Sequence, residues 1–456
     1  MSPSEIVLAS FASPVAVSTS TLTGWGMLPA LGAELLSEDL VATTQGAVLT
    51  RGMGRSYGDS SLPACATDRV VGTVLADRIL AFDPTTGVLR AEAGLGLHEM
   101  NRLFMPRGWF TPVSPGTKFV TLGGMVASDV HGKNHHSAGC FGAHVRSLRL
   151  RLADDSIVDC SASEHADLFY GTQGGMGLLG HILEVEVALH RIPSLWICIE
   201  SERVLDIDEY IAGLCRAAPL WPMTMGWIDC ANSGRRLGRG ILMAGRWATA
   251  EEAWSGPTRR PSPKTLPFLF PNWAINALTT KLFNTAYYWK HVSRRKTGLI
   301  APDPFFYPLD AILKWNRVYG SRGFTQHQCV LPRVAGPEAV REFMELLTKL
   351  GGASPLCVIK DCGEEGKGTL SFPLLGTSIA VDMAVSSDTQ RIVDRLNEFV
   401  IAAGGRIYLT KDRFTRAEHF AKMEPRLPQF FGLRDKWDPQ RRLRSAQSVR
   451  LFGDRP

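Results

Sequence analysis

Short stretches of alternating apolar and polar residues recur along the chain, separated by glycine-rich turns. Leu178–His190 alternates from Ile182 to Leu189, Val145–Leu152 reads VRSLRLRL and Val88–Ala93 reads VLRAEA. A period of two predicts strands with one buried face. Gly46–Arg51 and Trp109–Val113 add two short apolar strands, Asp154-Asp155 turns the chain back into Ser156–Cys160, and His98–Phe104 begins a helix. Residues up to Gly24 read as a loosely ordered arm. To about Pro193 the pattern predicts an α+β unit with little helix. Beyond Ser194, strand patterns at Leu195–Glu200, Met225–Asp229, Phe324–Leu331, Leu356–Ile359 and Ser378–Val385 alternate with helix patterns at Ala335–Leu350 and Thr389–Ala403. Pro337 falls in the first turn of one helix, and Gly351 and Gly404 follow the last turns of both. This half reads as a second α+β unit with returning antiparallel strands.

Length and composition narrow the class. A chain of 456 residues with 45% hydrophobic and 21% charged residues fits a soluble globular protein of two or three domains. The net charge of +6 is concentrated in residues 401–456, which hold 13 Lys/Arg against 6 Asp/Glu. That tail suits an anionic ligand or surface; without a zinc-finger, helix-turn-helix or RNP pattern, nucleic acid is not an expected partner. Nine scattered cysteines without a C-x-x-C pair point to reduced thiols, and the first twenty residues lack the basic start of a signal peptide. With no apolar run of the roughly 18–20 residues a membrane helix needs, the expected location is cytoplasmic, with peripheral contact at the inner membrane. A Pro- and aromatic-rich segment, Thr249–Pro304, ends in a basic cluster and suits an interface with a lipid and its phosphate. Pro267 and Pro271 argue against one continuous helix there.

Candidate chemistry gathers in Pro115–Val145, dense in glycine and carrying His131, His135, His136 and His144. Apolar residues interspersed among its glycines favour a backbone cradle for a large anionic, aromatic cofactor over a solvated loop. The turn Gly52-Met-Gly-Arg-Ser-Tyr-Gly-Asp59 has the wrong spacing for a dinucleotide fingerprint but suits an anion nest. His131 and His135 stand four apart, as zinc ligands on a helix do, but Gly132 and Gly139 argue against a helix and no glutamate completes a hydrolase motif, so no metal is expected.

Three separated pieces, RGMGRSYGD (Arg51–Asp59), DVHGKNHHSAG (Asp129–Gly139) within the glycine-dense stretch, and YLTKDRF (Tyr408–Phe414), together resemble the vanillyl-alcohol-oxidase-type FAD-linked oxidases. Within that superfamily they are most similar to the decaprenylphosphoryl-β-D-ribose 2'-oxidase family. The similarity continues through Phe306–Asp310, Trp315–Arg317 and Gln326–Gln328. The resemblance implies an α+β, two-domain FAD-linked oxidase: residues 1–192 and 406–456 form the FAD domain, and residues 193–405 the substrate domain. Gly54-Arg55-Ser56 stands where related sugar oxidases carry a flavin-linked histidine, so FAD is expected to be non-covalent.

The resemblance assigns Gly52, Met53, Gly54, Arg55, Ser56, Tyr57, Gly116, Thr117, Thr121, Gly123, Gly124, Ser128, His131 and Gly132 to the cofactor, with Gly177, Ile182 and Tyr408. Lys133, Trp227, Tyr307, Gln326, Gln328, Lys360, Ala380 and Asp382 match substrate-pocket positions. At Ala380, mycobacterial members place a cysteine. Lys411 is the expected proton acceptor, since burial can lower a lysine into the neutral range, with Tyr57 as alternative base or orienting donor and His131 hydrogen-bonding flavin or substrate. The implied reaction oxidises the 2'-hydroxyl of a polyprenylphosphoryl-β-D-ribose to the ketone. A partner NAD-dependent keto-reductase would complete epimerisation toward the arabinose donor for cell-wall glycan. Two other readings stay open: an aldonolactone or alditol oxidase using oxygen, and a flavin-retaining binding protein without turnover.

Overall fold

The computed structural model describes residues 19–256, 262–352 and 354–456. The first sheet has four strands. Thr19–Thr23 pairs antiparallel with Pro29–Leu36, which runs parallel to Arg69–Gly72, and that strand in turn runs parallel to Leu49–Arg51. The end of the expected N-terminal arm is therefore a strand, while residues 1–18 lie outside the described residues. Thr19–Thr23 is rich in β-branched residues, and its Leu22 is buried with Leu49, Leu62 and Val70 in a small core of its own.

The alternating stretches and the return Ile157–Ser161, joined by the edge strand Ile79–Phe82 that the pattern did not predict, form a five-stranded antiparallel sheet in the order Ile79–Phe82, Val88–Glu92, His181–Ala188, Val145–Arg151, Ile157–Ser161. Four helices accompany it, at Leu97–Phe104, Leu122–Ala127, His135–Ala138 and Ala166–Thr172, more than the sequence pattern predicted. Trp109–Val113 keeps only Trp109–Phe110 as strand, paired with His190–Arg191.

The largest sheet is wholly antiparallel and eight-stranded. Its order is Arg295–Ile300, Ile197–Val204, Gly240–Trp247, Met223–Ile228, Cys357–Cys362, Gly376–Ala384, Phe324–Pro332, Arg406–Ile407. The pattern missed two of these strands. Gly240–Trp247 is covered on both faces and therefore reads as a continuous apolar run without alternation. Arg295–Ile300 is a polar edge strand with one neighbour. Helix Ile207–Ala217 was also missed, although Asp206 and Glu209 spell a capping signal; the Asp206 carboxylate accepts the Glu209 N–H at 2.9 Å. The helices Gly336–Lys349 and Thr389–Ala402 match their expected spans to within two residues.

One continuous core joins the two halves: Val185 and Leu148 of the five-stranded sheet share it with Ile359, Ile379 and Val381 of the eight-stranded sheet. The C-terminal segment leaves the sheet edge at Arg406–Ile407 and returns to the N-terminal strands. There Arg444 pairs with Asp68 at 2.5 Å and Arg450 with Asp59 at 2.8 Å. No helix among the described residues is long and apolar enough to cross a membrane.

Candidate active site

Strand Leu49–Arg51 delivers the chain into the turn Gly52–Asp59, and each glycine there answers a specific demand. Gly54 has a φ of +61°, a left-handed backbone that glycine adopts without strain, directly above the Arg51 guanidinium. Gly58 lies so close to the backbone of the C-terminal segment that a Cβ would sit 1.7 Å from the Asp412 carbonyl oxygen. The turn is clasped from both sides: Trp25 N–H donates to Ser56 O at 2.7 Å, and Tyr57 N–H to Thr410 O at 2.9 Å. In the second loop Thr121 caps helix Leu122–Ala127 by accepting from Gly124 N–H, and it packs on Gly52, where a Cβ would approach Thr121 Oγ1 to 2.4 Å. In the third, the Tyr408 hydroxyl donates to Ser128 O at 2.9 Å and the Tyr408 N–H to Gln328 O at 2.9 Å.

Together these loops and the inner face of the eight-stranded sheet enclose a cavity of about 1320 Å³. All the residues expected to hold the cofactor line it, as do Lys133, Trp227, Gln326, Gln328, Lys360, Ala380 and Lys411. Tyr307 and Asp382 do not; they stand behind the wall. The Tyr307 hydroxyl is turned to Ser114 (2.6 Å) and Asn101 (2.9 Å), while Asp382 accepts from Gln326 at 2.5 Å across the strand pair. Sequence reasoning passed over several lining residues: Trp25, Phe119, Ile199, Ser201, Met225 and Met243. The last four sit on adjacent strands of the sheet, and the signal that could have found them is the alternation that places Ile199 with Ser201, and Met225 with Trp227, on one face.

The wall is cationic. Lys133, Lys360 and Lys411 all line the cavity. Burial, with the Lys360 charge adding to it, pushes Lys133 down to about 7; its ammonium donates to Phe306 O at 3.0 Å. Burial lowers Lys360 as well. Lys411 and Asp382 form an interacting buried pair: burial drives the lysine down and the carboxyl up, and each charge partly restores the other. Asp412, the sequence neighbour, is occupied elsewhere, accepting from Thr415 N–H and from Arg450. Lys411 Nζ lies 3.7 Å over the Tyr57 ring and has no hydrogen-bond partner among the described residues. Burial and the Asp382 charge hold the Tyr57 phenol protonated well above its usual range, which disfavours it as a base.

His131 is held neutral, its pKa pushed well down by burial and then by Lys360. Gln328 Nε2 lies 3.0 Å from His131 Nε2 and also donates to Ser378 Oγ. His131 Nε2 therefore accepts, leaving the proton on Nδ1, which is buried without a partner. His131 lies on an isolated bridge with Cys140, off the single helical turn His135–Ala138, and His135 Nδ1 accepts from Gly363 N–H at 3.0 Å.

These features fit a flavin dinucleotide. Among the described residues, five unpartnered buried polar atoms belong to lining residues: Arg55 Nε, His131 Nδ1 and Thr410 Oγ1 on the loops, and Thr280 Oγ1 and His291 Nδ1 by the aromatic helix. Gly116 and Gly177 leave their Cβ positions open, with nothing within 4 Å. The Arg55 guanidinium lies 4.1 Å from the centroid of Trp25 and 5.2 Å from that of Phe119, a fixed cation suited to a diphosphate. A family model described as the FAD binding domain matches residues 39–161, the span that carries the first two loops. The chain is an FAD-dependent oxidoreductase.

Comparison with curated proteins narrows the class. The chain is 34% identical to the decaprenylphosphoryl-beta-D-ribose oxidase of Mycolicibacterium smegmatis, over 95% of this chain and 98% of that one. An uncharacterised protein of Streptomyces coelicolor is 29% identical over 78% of this chain and 99% of its own. A putative D-arabinono-1,4-lactone oxidase of Neurospora crassa is 26% identical, over only 30% of this chain. The protein belongs to the decaprenylphosphoryl-beta-D-ribose oxidase family, whose members act on a CH–OH group.

Proposed function

We propose that the protein oxidises the 2'-hydroxyl of a polyprenylphosphoryl-β-D-ribose to the 2'-ketone. The observation that carries this reading is the pairing of three lysines lining one cavity, Lys133 buried and Lys360 and Lys411 half-buried, with an opening among exposed apolar side chains. Phe283 and Ile312 line the same cavity yet remain 53% and 48% exposed, so they mark its mouth. A cationic interior with an apolar entrance suits an anionic sugar phosphate on a lipid, and the named relative is a decaprenylphosphoryl-ribose oxidase.

When bound, FAD supplies the hydride acceptor. In its neutral form Lys411 takes the hydroxyl proton; Lys133 and Lys360 hold phosphate or sugar oxygens; Gln326 and Gln328 orient the ring; neutral His131 presents its Nδ1–H. Residues 1–192 with 406–456 hold the cofactor and residues 193–405 the substrate. FAD stays non-covalent, because Gly54-Arg55-Ser56 carries no histidine and no cysteine lines the cavity among the described residues. A partner keto-reductase would consume the ketone, and the reaction would run at a membrane surface.

Anaerobic mixing tests the reading. Bleaching of the oxidised flavin band by a lipid-linked phosphoribose is expected. Bleaching only by free lactones or polyols would favour a sugar oxidase, and none by either class a binding protein. Acid precipitation of the same sample should leave the flavin in the supernatant; pigment in the pellet would contradict the non-covalent assignment.

A further inference from the structure

From residue 253 to residue 302 the sequence holds no Asp or Glu, whereas Lys264, Lys281, Lys290 and the run Arg294–Lys296 are all basic. At the centre of this stretch is helix Ala277–Lys290, started by an Asn276 capping box beyond the two prolines. One face of the helix is anchored. Asn284 Nδ2 donates to Asp229 at 2.9 Å and to Ser354 O at 3.2 Å, and Tyr288 lies under the Arg239 guanidinium at 4.8 Å. A flank of the same helix, Phe283 and Tyr287, lines the active-site cavity.

The remaining face has no cover among the described residues. Leu278 and Leu282 are 67% and 62% exposed, and Trp273, just before the helix, is 72% exposed. Phe268, Trp289 and Val292 continue the patch on either side. Isolated exposed apolar residues are ordinary, but a contiguous set of this size marks an interaction surface. Its charge decides between occupants. Arg294 and Arg295 pair with Glu209 and Glu202, while Lys264, Lys281, Lys290 and Lys296 have no ion pair among the described residues. Two copies of this face would bring cations against cations. An anionic lipid surface matches both parts, accepting the Leu and Trp side chains into its acyl boundary and the lysines at its headgroups.

We propose that helix Ala277–Lys290 and its flanks dock the protein on an anionic bilayer, with the cavity mouth at Phe283 facing the membrane. Resting on the lipid-linked reading of the substrate, this arrangement lets the ribose enter the cavity while its polyprenyl chain stays in the bilayer.

The test uses the full-length holoprotein sedimented with vesicles of phosphatidylcholine, with and without phosphatidylglycerol. Binding is expected only where phosphatidylglycerol is present, and it weakens as salt rises. Trp273→Ser/Leu278→Ser/Leu282→Ser should weaken binding at least about 100-fold, and Lys281→Glu/Lys290→Glu at least about tenfold. Both variants should keep their FAD and be bleached normally by a short-chain, water-soluble prenylphosphoryl ribose. A protein bleached by that soluble compound but unbound by either vesicle would overturn the docking and leave the reaction standing. One that binds vesicles but is not bleached would do the reverse. Equal binding to neutral vesicles, or a dimer in light scattering that the triple serine variant dissolves, would also overturn the docking.

Discussion

At the scale of single residues, the site depends on how far burial outweighs charge. Lys411 is lowered to about 7 by burial, then raised by Asp382 and lowered again by Lys360. A lysine poised there is protonated in acid and free above neutrality. Flavin reduction should therefore rise roughly tenfold per pH unit below about 7 and flatten above it. Lys411→Met should retain FAD, slow reduction at least about 100-fold and lose that acid limb; stopped-flow rates across the pH range measure both. A variant that keeps the limb would assign it to another group. The identities of these lysines were legible in the sequence only through resemblance. Nothing in YLTKDRF shows that Lys411 feels the charge of Asp382, on the eight-stranded sheet, because that proximity arises from tertiary packing.

Among elements, the glycine turns show which part of a site a sequence can carry. Gly54 sits at positive φ, a local demand that a glycine-rich motif announces. Gly58 is needed for a different reason: it touches the Asp412 carbonyl from far along the chain. Gly58→Ala should therefore part the first and third loops. The expected result is a loss of about 2 kcal/mol in stability and a weakened FAD affinity, read by thermal melts and flavin titration; an unchanged affinity would show that the loops bind independently. Four strands of the five-stranded sheet were legible because one face is wet and alternation survives; Ile79–Phe82, exposed along most of its length, was not. Gly240–Trp247, covered on both sides, and Arg295–Ile300, a polar edge, lost that signature. The eight-stranded sheet's contribution to the cavity, Ile199, Ser201, Met225 and Met243, stayed hidden for another reason: alternation shows which residues share a face, not that the face lines a site.

For the whole molecule, two sheets sharing one core leave a large cavity that three distant loops close at one end and an aromatic helix borders at the other. On the function proposed above, this cavity oxidises a ribose at its 2' position. Reduction of the bound flavin by lipid-linked phosphoribose carrying deuterium at C2', compared anaerobically with the unlabelled compound, shows whether that C–H bond is the one broken. Bleaching should be several-fold slower with the C2' label than without it. Bleaching at equal rates, or slowed only by a label at C3', would contradict it.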